Sequence, residues 1–321
     1  MATLNMTTVD THESVDYAVP ELWNLKLYKE AQRKMFWSKF EGEEGSGMPV
    51  IRKDDLAKDA GDVIHINTIK QLTGAGVTGA STLEGSEEKV SMAQTDLSVD
   101  WVRHGVAITR RSKKRVNFDF LGTASVLLSG WLAEQADDAI FTAFGTATTA
   151  LFANDATSTA TLDATDTLGT DELDKIKTYL DDNLATPLRI DGDGNNYYGI
   201  VVHAYDAYNL RQDSAWKEAQ RDANLRGDVN PLFSGSMGVY NGMIVFVNKG
   251  VANTASKSKC IAFGGESIFR GYGEMPSFQA QNHDYNFENG VAVEAIYGEK
   301  LNNDVNTNFA ILETYGTNPN S

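Results

Sequence analysis

Cysteine is nearly absent: Cys260 is the only one in 321 residues. That excludes an internal disulfide framework and any cysteine-rich zinc site, and it suits synthesis in a reducing compartment. Long apolar runs are missing, so no membrane-spanning helix fits. The start, Met1-Ala2-Thr3-Leu4-Asn5, has neither the basic nor the apolar region of a signal peptide. Positive charge is scarce, with 28 Lys and Arg against 44 Asp and Glu and a net charge of −16. Sequence-independent nucleic-acid binders are basic, so such binding is not expected as the main task. A weakly repelling wall is nevertheless compatible with enclosing nucleic acid at a distance.

Motifs for catalysis are equally sparse. His12, His65, His104, His203 and His283 are scattered without metal-ligand spacing, and His12-Glu13 lacks the second histidine of a zinc-protease helix. No Gly-x-Ser-x-Gly elbow is present; Gly235-Ser236-Met237-Gly238 falls one residue short. Gly74-x-Gly76-x-x-Gly79 matches a dinucleotide fingerprint in letters only. The acidic, aperiodic stretch Ala80 to Lys89 follows where a helix N-terminus would have to hold pyrophosphate. Asp191-Gly192-Asp193-Gly194-Asn195 opens like a calcium loop, but Asn196 and Val202 stand where Gly and Glu are needed, so a plain turn is expected. No catalytic, cofactor-binding or metal-binding residue is assigned, and no cofactor is expected.

What is present is an ordinary globular composition, 41% hydrophobic and 22% charged, in a chain long enough for two domains or one elaborated domain. Residues 74 to 88, Gly-Ala-Gly-Val-Thr-Gly-Ala-Ser-Thr-Leu-Glu-Gly-Ser-Glu-Glu, hold four glycines and three acids but only two large apolar residues, Val77 and Leu83. Strand-like sequence flanks them, Val63 to Ile69 before and Leu97 to Val102 after. The pattern reads as an extended hairpin leaving a body. An isolated two-stranded hairpin is marginal in water, so this arm calls for a partner, with another copy of the chain the first choice.

Elsewhere, a helix is expected from Pro20 to about Phe40. A long one runs from Leu121 to Phe144 on spacings of three and four. Residues 145 to 168 read as loop, Thr170 as the N-cap of a helix carrying Leu173, Ile176 and Leu180, and 204 to 223 as helical. Strands are expected at Tyr198 to His203 and Met243 to Val247, and among Gly- and Asn-rich turns from Cys260 to Tyr315, clearest at Val291 to Tyr297 and Phe309 to Thr314. Mixed elements without a βαβ period give an α+β class. Arg110, Arg111, Lys113, Lys114 and Arg115 form a basic run at a strand-to-helix junction. It reads as a solvated face, as a nucleic-acid patch lacking interleaved aromatics, or as a docking surface for a neighbour's Glu84, Glu87 and Glu88.

Several segments together resemble one family. Pro20-Glu21-Leu22-Trp23, the arm Leu72 to Gly79 with Thr82 to Gly85 and Glu87-Glu88, and Arg103-His104 form one group. Asn230 to Gly235 with Gly238-Val239-Tyr240-Asn241-Gly242 forms another. They resemble the major capsid proteins of tailed bacteriophages, in the subgroup typified by the coat protein of the N-four phage, in order from about residue 20 to 315. The resemblance implies the Hong Kong 97-type fold. Residues 1–42 would be N-terminal arm and first helix, 43–60 a connector, and 61–110 the E-loop hairpin. Residues 111–168 would be peripheral domain with the spine helix, 169–255 axial domain, and 256–321 the returning peripheral strands.

It further implies hexamers and pentamers closing an icosahedral shell around double-stranded DNA held without sequence-specific contact. The shell would assemble in the bacterial cytoplasm with portal, scaffolding and decoration proteins and no membrane. A non-viral compartment shell of the same fold is the alternative. The expected intersubunit contacts are Gly74, Gly76, Val77, Gly79, Leu83, Glu84, Gly85, Glu87 and Glu88, while Lys70 and Lys89 read as ordinary arm lysines.

Overall fold

The computed structural model describes residues 35–54, 62–69, 87–115, 120–148, 150–190, 195–224, 237–302 and 308–319, together with 72, 74, 76–79 and 81–85. The helix expected from Pro20 therefore lies mostly outside the described residues, as does Asn230 to Gly235. The described end of that helix, Trp37–Phe40, is a 3-10 turn.

In chain order come β1 (Glu41–Gly42), β2 (Val50–Lys53), β3 (Val63–Ile69), β4 (Met92–Ser98) and β5 (Asp100–Thr109). Then follow α1 (Arg110–Arg115), α2 (Phe120–Gly145), β6 (Ala150–Phe152), α3 (Thr170–Asp182), β7 (Arg189–Ile190) and β8 (Asn196–Val202). After α4 (Ala204–Gln212) and α5 (Ser214–Asn224) the chain makes β9 (Gly238–Tyr240), β10 (Met243–Val247), β11 (Asn253–Thr254) and β12 (Lys257–Phe263). It ends with β13 (Ile268–His283), β14 (Glu288–Leu301) and β15 (Phe309–Tyr315).

Two large sheets result. One is ordered β1-β2-β13-β14-β5; the other follows β6-β15-β12-β8-β10-β9, with β7 on β8 and β11 on β12. In β14 the residues Val291, Val293, Ala295 and Tyr297 alternate inward and meet Leu128, Leu132 and Ala136 of α2. Strands of the second sheet are apolar on both faces because both are covered. Ile200, Val202, Met243 and Val245 face α3 and α4, while Val201, Phe246, Ile261 and Phe263 face Trp37 and the end of α2. At 26 residues, α2 is about 39 Å long and crosses from one core to the other.

Two polar ties fix where the chain meets that helix. Asp137 accepts the backbone N–H groups of Phe36 at 2.6 Å and Trp37 at 3.1 Å. Trp37, fully buried, then packs against Phe36, Phe40, Phe141, Phe144 and Phe263 with ring centroids between 5.2 and 5.7 Å. Arg270, also fully buried, donates to Glu41 at 2.6 Å, to Glu299 at 3.0 Å and to the Ala136 carbonyl. Burial alone would lower its pKa, but Glu299, Tyr272 and Glu41 hold the guanidinium firmly charged.

Several expectations change. Thr170 is not the N-cap of α3; Gly169 is, its N–H held by Glu172 at 3.0 Å. Asp213 accepts the N–H and hydroxyl of Thr170 at 2.8 and 2.6 Å and the Ala215 N–H at 3.0 Å, so the single helix expected over 204–223 breaks there into α4 and α5. The loop expected over 145–168 contains β6, paired in parallel with β15. The strand expected from Leu97 to Val102 is two, divided at Val99.

Arg270→Ala, which strands the carboxylates of half-buried Glu41 and the more deeply set Glu299, is expected to cost about 3 kcal/mol in urea unfolding of the dissociated subunit, with Arg270→Met/Glu299→Leu retaining more stability. A second prediction concerns Asp206, buried beneath β12 and β15, where burial raises the carboxyl above its ordinary value despite hydrogen bonds from Ser258 and Thr314. Stability from a raised carboxyl is complete below the unfolded value near about 4 and is lost as pH rises through the folded one. Asp206→Asn is therefore expected to gain stability relative to the unsubstituted chain between about pH 5 and about pH 8, read from urea midpoints at both.

Candidate assembly surfaces

The arm is built as the sequence pattern requires. β3 and β4 pair antiparallel from Val63↔Ser98 to Ile69↔Met92. Their alternation turns Ile64, Ile66 and Leu97 onto Ile51 and Phe269 of the first sheet. Glycine lets them approach: a Cβ on Gly271 would lie 2.8 Å from both Ile64 and Leu97, and one on Gly298 only 2.0 Å from the Ser98 carbonyl. Past Ile69 and Met92 the support ends. Ile69, Leu72, Leu83, Val90 and Met92 are 59–69% exposed, a string of large apolar side chains in solvent.

Each contact residue expected from sequence sits in this unsupported stretch. Gly76, Gly79 and Gly85 have φ of 68°, 72° and 85°, conformations that exclude most other residues. Gly74 donates its N–H to Glu88 at 2.6 Å, and Gly85 to Glu87 at 2.8 Å. Of the three acids, Glu88 is thus turned back onto the arm, while Glu84 is exposed and has no partner among the described residues. Val77 is half-buried and Leu83 exposed.

The basic run forms the short helix α1, begun where Thr109 accepts the Ser112 N–H at 3.2 Å. Ser112 is buried and the cations Arg110, Arg111, Lys113, Lys114 and Arg115 are exposed. Sequence reasoning missed what lies beside it. The turn between β13 and β14 carries Asp284, Tyr285 and Asn286 with φ of 46°, 52° and 69°. Asp and Asn tolerate that region, but a tyrosine there is strained. The turn is pinned by Phe287 N–H to Asp284 O at 2.8 Å and Arg110 N–H to Phe287 O at 2.6 Å, and Tyr285 stands fully exposed. The one signal is the polar run Asn282-His283-Asp284-Tyr285-Asn286, within the stretch where strands alternate with Gly- and Asn-rich turns. Among the described residues no cluster of three or more His, Cys, Asp or Glu is placed to hold a metal ion.

Surface chemistry of this kind, with apolar side chains and cations displayed on projecting elements, belongs to a subunit of an assembly. The phage capsid protein family matches residues 11–149 and 136–316. This chain belongs to that family. The major capsid protein of Pseudomonas phage KPP25 is 24% identical over 354 aligned residues, covering 92% of this chain and 94% of that protein. The capsid of Ralstonia phage GP4 superimposes with a TM-score of 0.79 at 23% identity, over 94% of this chain and 96% of that one. The capsid of cyanophage Pam1 gives 0.79 at 21% identity, over 99% and 100%. The fold is the Hong Kong 97-type capsid fold, and the chain is a structural capsid protein of a tailed phage. The compartment-shell alternative is not favoured, since the matching family and the named relatives are of phages.

Tyr285→Gly relieves the left-handed strain and is expected to stabilise the dissociated subunit by about 0.5–1 kcal/mol. Thermal unfolding checks it.

Proposed function

We propose that this capsid subunit is held to its neighbours chiefly by the arm, residues 74–88 with the flanking apolar positions Leu72, Val90 and Met92, laid on adjacent copies in hexamers and pentamers. One observation carries this: Leu72, Leu83, Val90 and Met92 are displayed to solvent on a hairpin whose own body covers only its base. Burying such side chains in a neighbour is worth about 1.5–3 kcal/mol each. Closed shells repeat one contact many times, so modest contacts suffice.

The domain boundaries follow the same reading. Residues 61–110 serve as E-loop, with β5 anchoring its return in the first sheet; α2, β13 and β14 make the peripheral domain, and the axial domain takes 169–255 together with β6, β12 and β15, which share its sheet, so the boundaries expected at 168 and 256 shift. Placement in the N-four subgroup rests on the arm motif together with Pro20 to Trp23, Arg103-His104, Asn230 to Gly235 and Gly238 to Gly242. Assembly would take place in the host cytoplasm with portal, scaffolding and decoration proteins. The net charge of −16 supports packaged double-stranded DNA held without sequence-specific contact.

Leu72→Asp/Leu83→Asp/Val90→Asp alters exposed positions only, so subunit stability is expected to stay within about 0.5 kcal/mol per site. Closed particles, counted by electron microscopy after gradient sedimentation, are expected to fall by about tenfold or more. Normal particle yield would refute the arm as the main contact.

A further inference from the structure

Between α1 and the strained turn lies a cleft of about 600 Å³ lined by Arg110, Lys113, Lys114, Asn282, Asn286 and Asn289. We infer that this cleft is a docking site for carboxylates on a second copy of the chain, with Glu84 and Glu87 of its arm as occupants. The inference rests on the arm reaching adjacent copies and specifies where its acidic segment lands.

Three observations point there. First, Arg110, Lys113 and Lys114 follow the three-and-four spacing that places side chains on one helix face. All are exposed, and none has an acidic partner among the described residues. A cationic face is unusual on a body carrying −16. Second, the opposite wall offers three asparagine amides, whose N–H groups can satisfy the carboxylate oxygens that the cations leave over. Asn286 sits on the turn clamped by the Arg110 and Phe287 backbones, and Asn282 and Asn289 are paired across the ends of β13 and β14, so the wall is preformed and little ordering is needed on docking. Third, the arm supplies the complement. Glu84 is unpaired among the described residues, and Glu87 uses a single oxygen on Gly85. In extended chain the two lie at most about 10 Å apart, a span long arginine and lysine side chains cover.

A nucleic-acid backbone is the poorer occupant. Duplex binders neutralise on the order of 6–10 phosphates, whereas this cleft holds three cations on a strongly acidic body. Tyr285 beside the cleft, fully exposed on its pinned turn, instead offers the aromatic anchor common at protein interfaces.

The test is charge exchange in the full chain. Arg110→Glu/Lys113→Glu/Lys114→Glu and Glu84→Lys/Glu87→Lys are each expected to cut closed-particle yield by about tenfold, the combined effect of two or three partly exposed ion pairs. Joining the two sets is expected to restore most of it. The milder Lys113→Gln/Lys114→Gln, which leaves the clamp at Arg110 untouched, is expected to flatten the fall in assembly with added salt. Wild-type yield from the triple reversal, no rescue in the combined variant, or unchanged salt dependence in the glutamine variant would each overturn the proposal. So would particles that form normally but lose retention of a short random-sequence DNA duplex, which would assign the cleft to phosphate. Should Leu72→Asp/Leu83→Asp/Val90→Asp block assembly while charge exchange leaves it unchanged, the arm stands as the main contact and this docking site alone falls.

Discussion

One helix sets the frame on which everything else is hung. α2 runs along two cores, and in the one around Trp37 and the end of the helix the sheets meet, Val50, Ile268 and Leu301 of the first beside Val201, Phe263 and Phe309 of the second. Its position relative to the incoming chain is fixed by two buried polar groups rather than by apolar contact alone. Asp137 holds the backbone before the first sheet, and Arg270 ties β13 to the helix carbonyl at Ala136 and to β1 through Glu41. Apolar packing is tolerant of small slips. A buried guanidinium with three fixed acceptors is not, so these ties set the register of helix against sheet.

That frame leaves unburied just what an assembling subunit needs to leave unburied. The base of the arm is absorbed into the body by Ile64, Ile66 and Leu97, and its far part is not. At the opposite end of the same sheet, the β13–β14 turn projects a tyrosine in a conformation that tyrosine disfavours. Strain of that sort persists only where the surroundings over-determine it, and here the Arg110 and Asp284 hydrogen bonds do so. Apolar surplus at one extremity and a cationic cleft at another give a single chain two unlike faces, the arrangement that heterologous repetition requires.

The sequence was most legible where a single period dominated. β3 and β10 coincide with the stretches expected at Val63 to Ile69 and Met243 to Val247, and α2 extends one residue beyond each end of its apolar pattern. The α+β class and the capsid fold were legible too, the second through the arm motif and its companions. What escaped was set by tertiary contact. β13 and β14 extend far past the apolar stretch at Val291 to Tyr297, because Gly271, Gly273, Gly290 and Gly298 interrupt the pattern. At Gly271, Gly273 and Gly298 it is packing against β14 itself or the hairpin, not a turn, that demands glycine. The break at Asp213 and the first turn of α3 at Thr170 answer to each other across 43 residues, a relation no local window contains. The tip beside α1 was invisible for the same reason, since its shape depends on a backbone bond between Arg110 and Phe287.

A single residue, Val99, separates the strand that ends the arm from the strand that enters the body. Its N–H is bonded to Asp62 at 3.0 Å, and its side chain would sit 3.3 Å from a Cβ on Gly271 and 3.6 Å from one on Gly273. The joint is therefore bolted rather than hinged. The backbone freedom left to the arm lies outboard of the paired strands, at the left-handed glycines 76, 79 and 85.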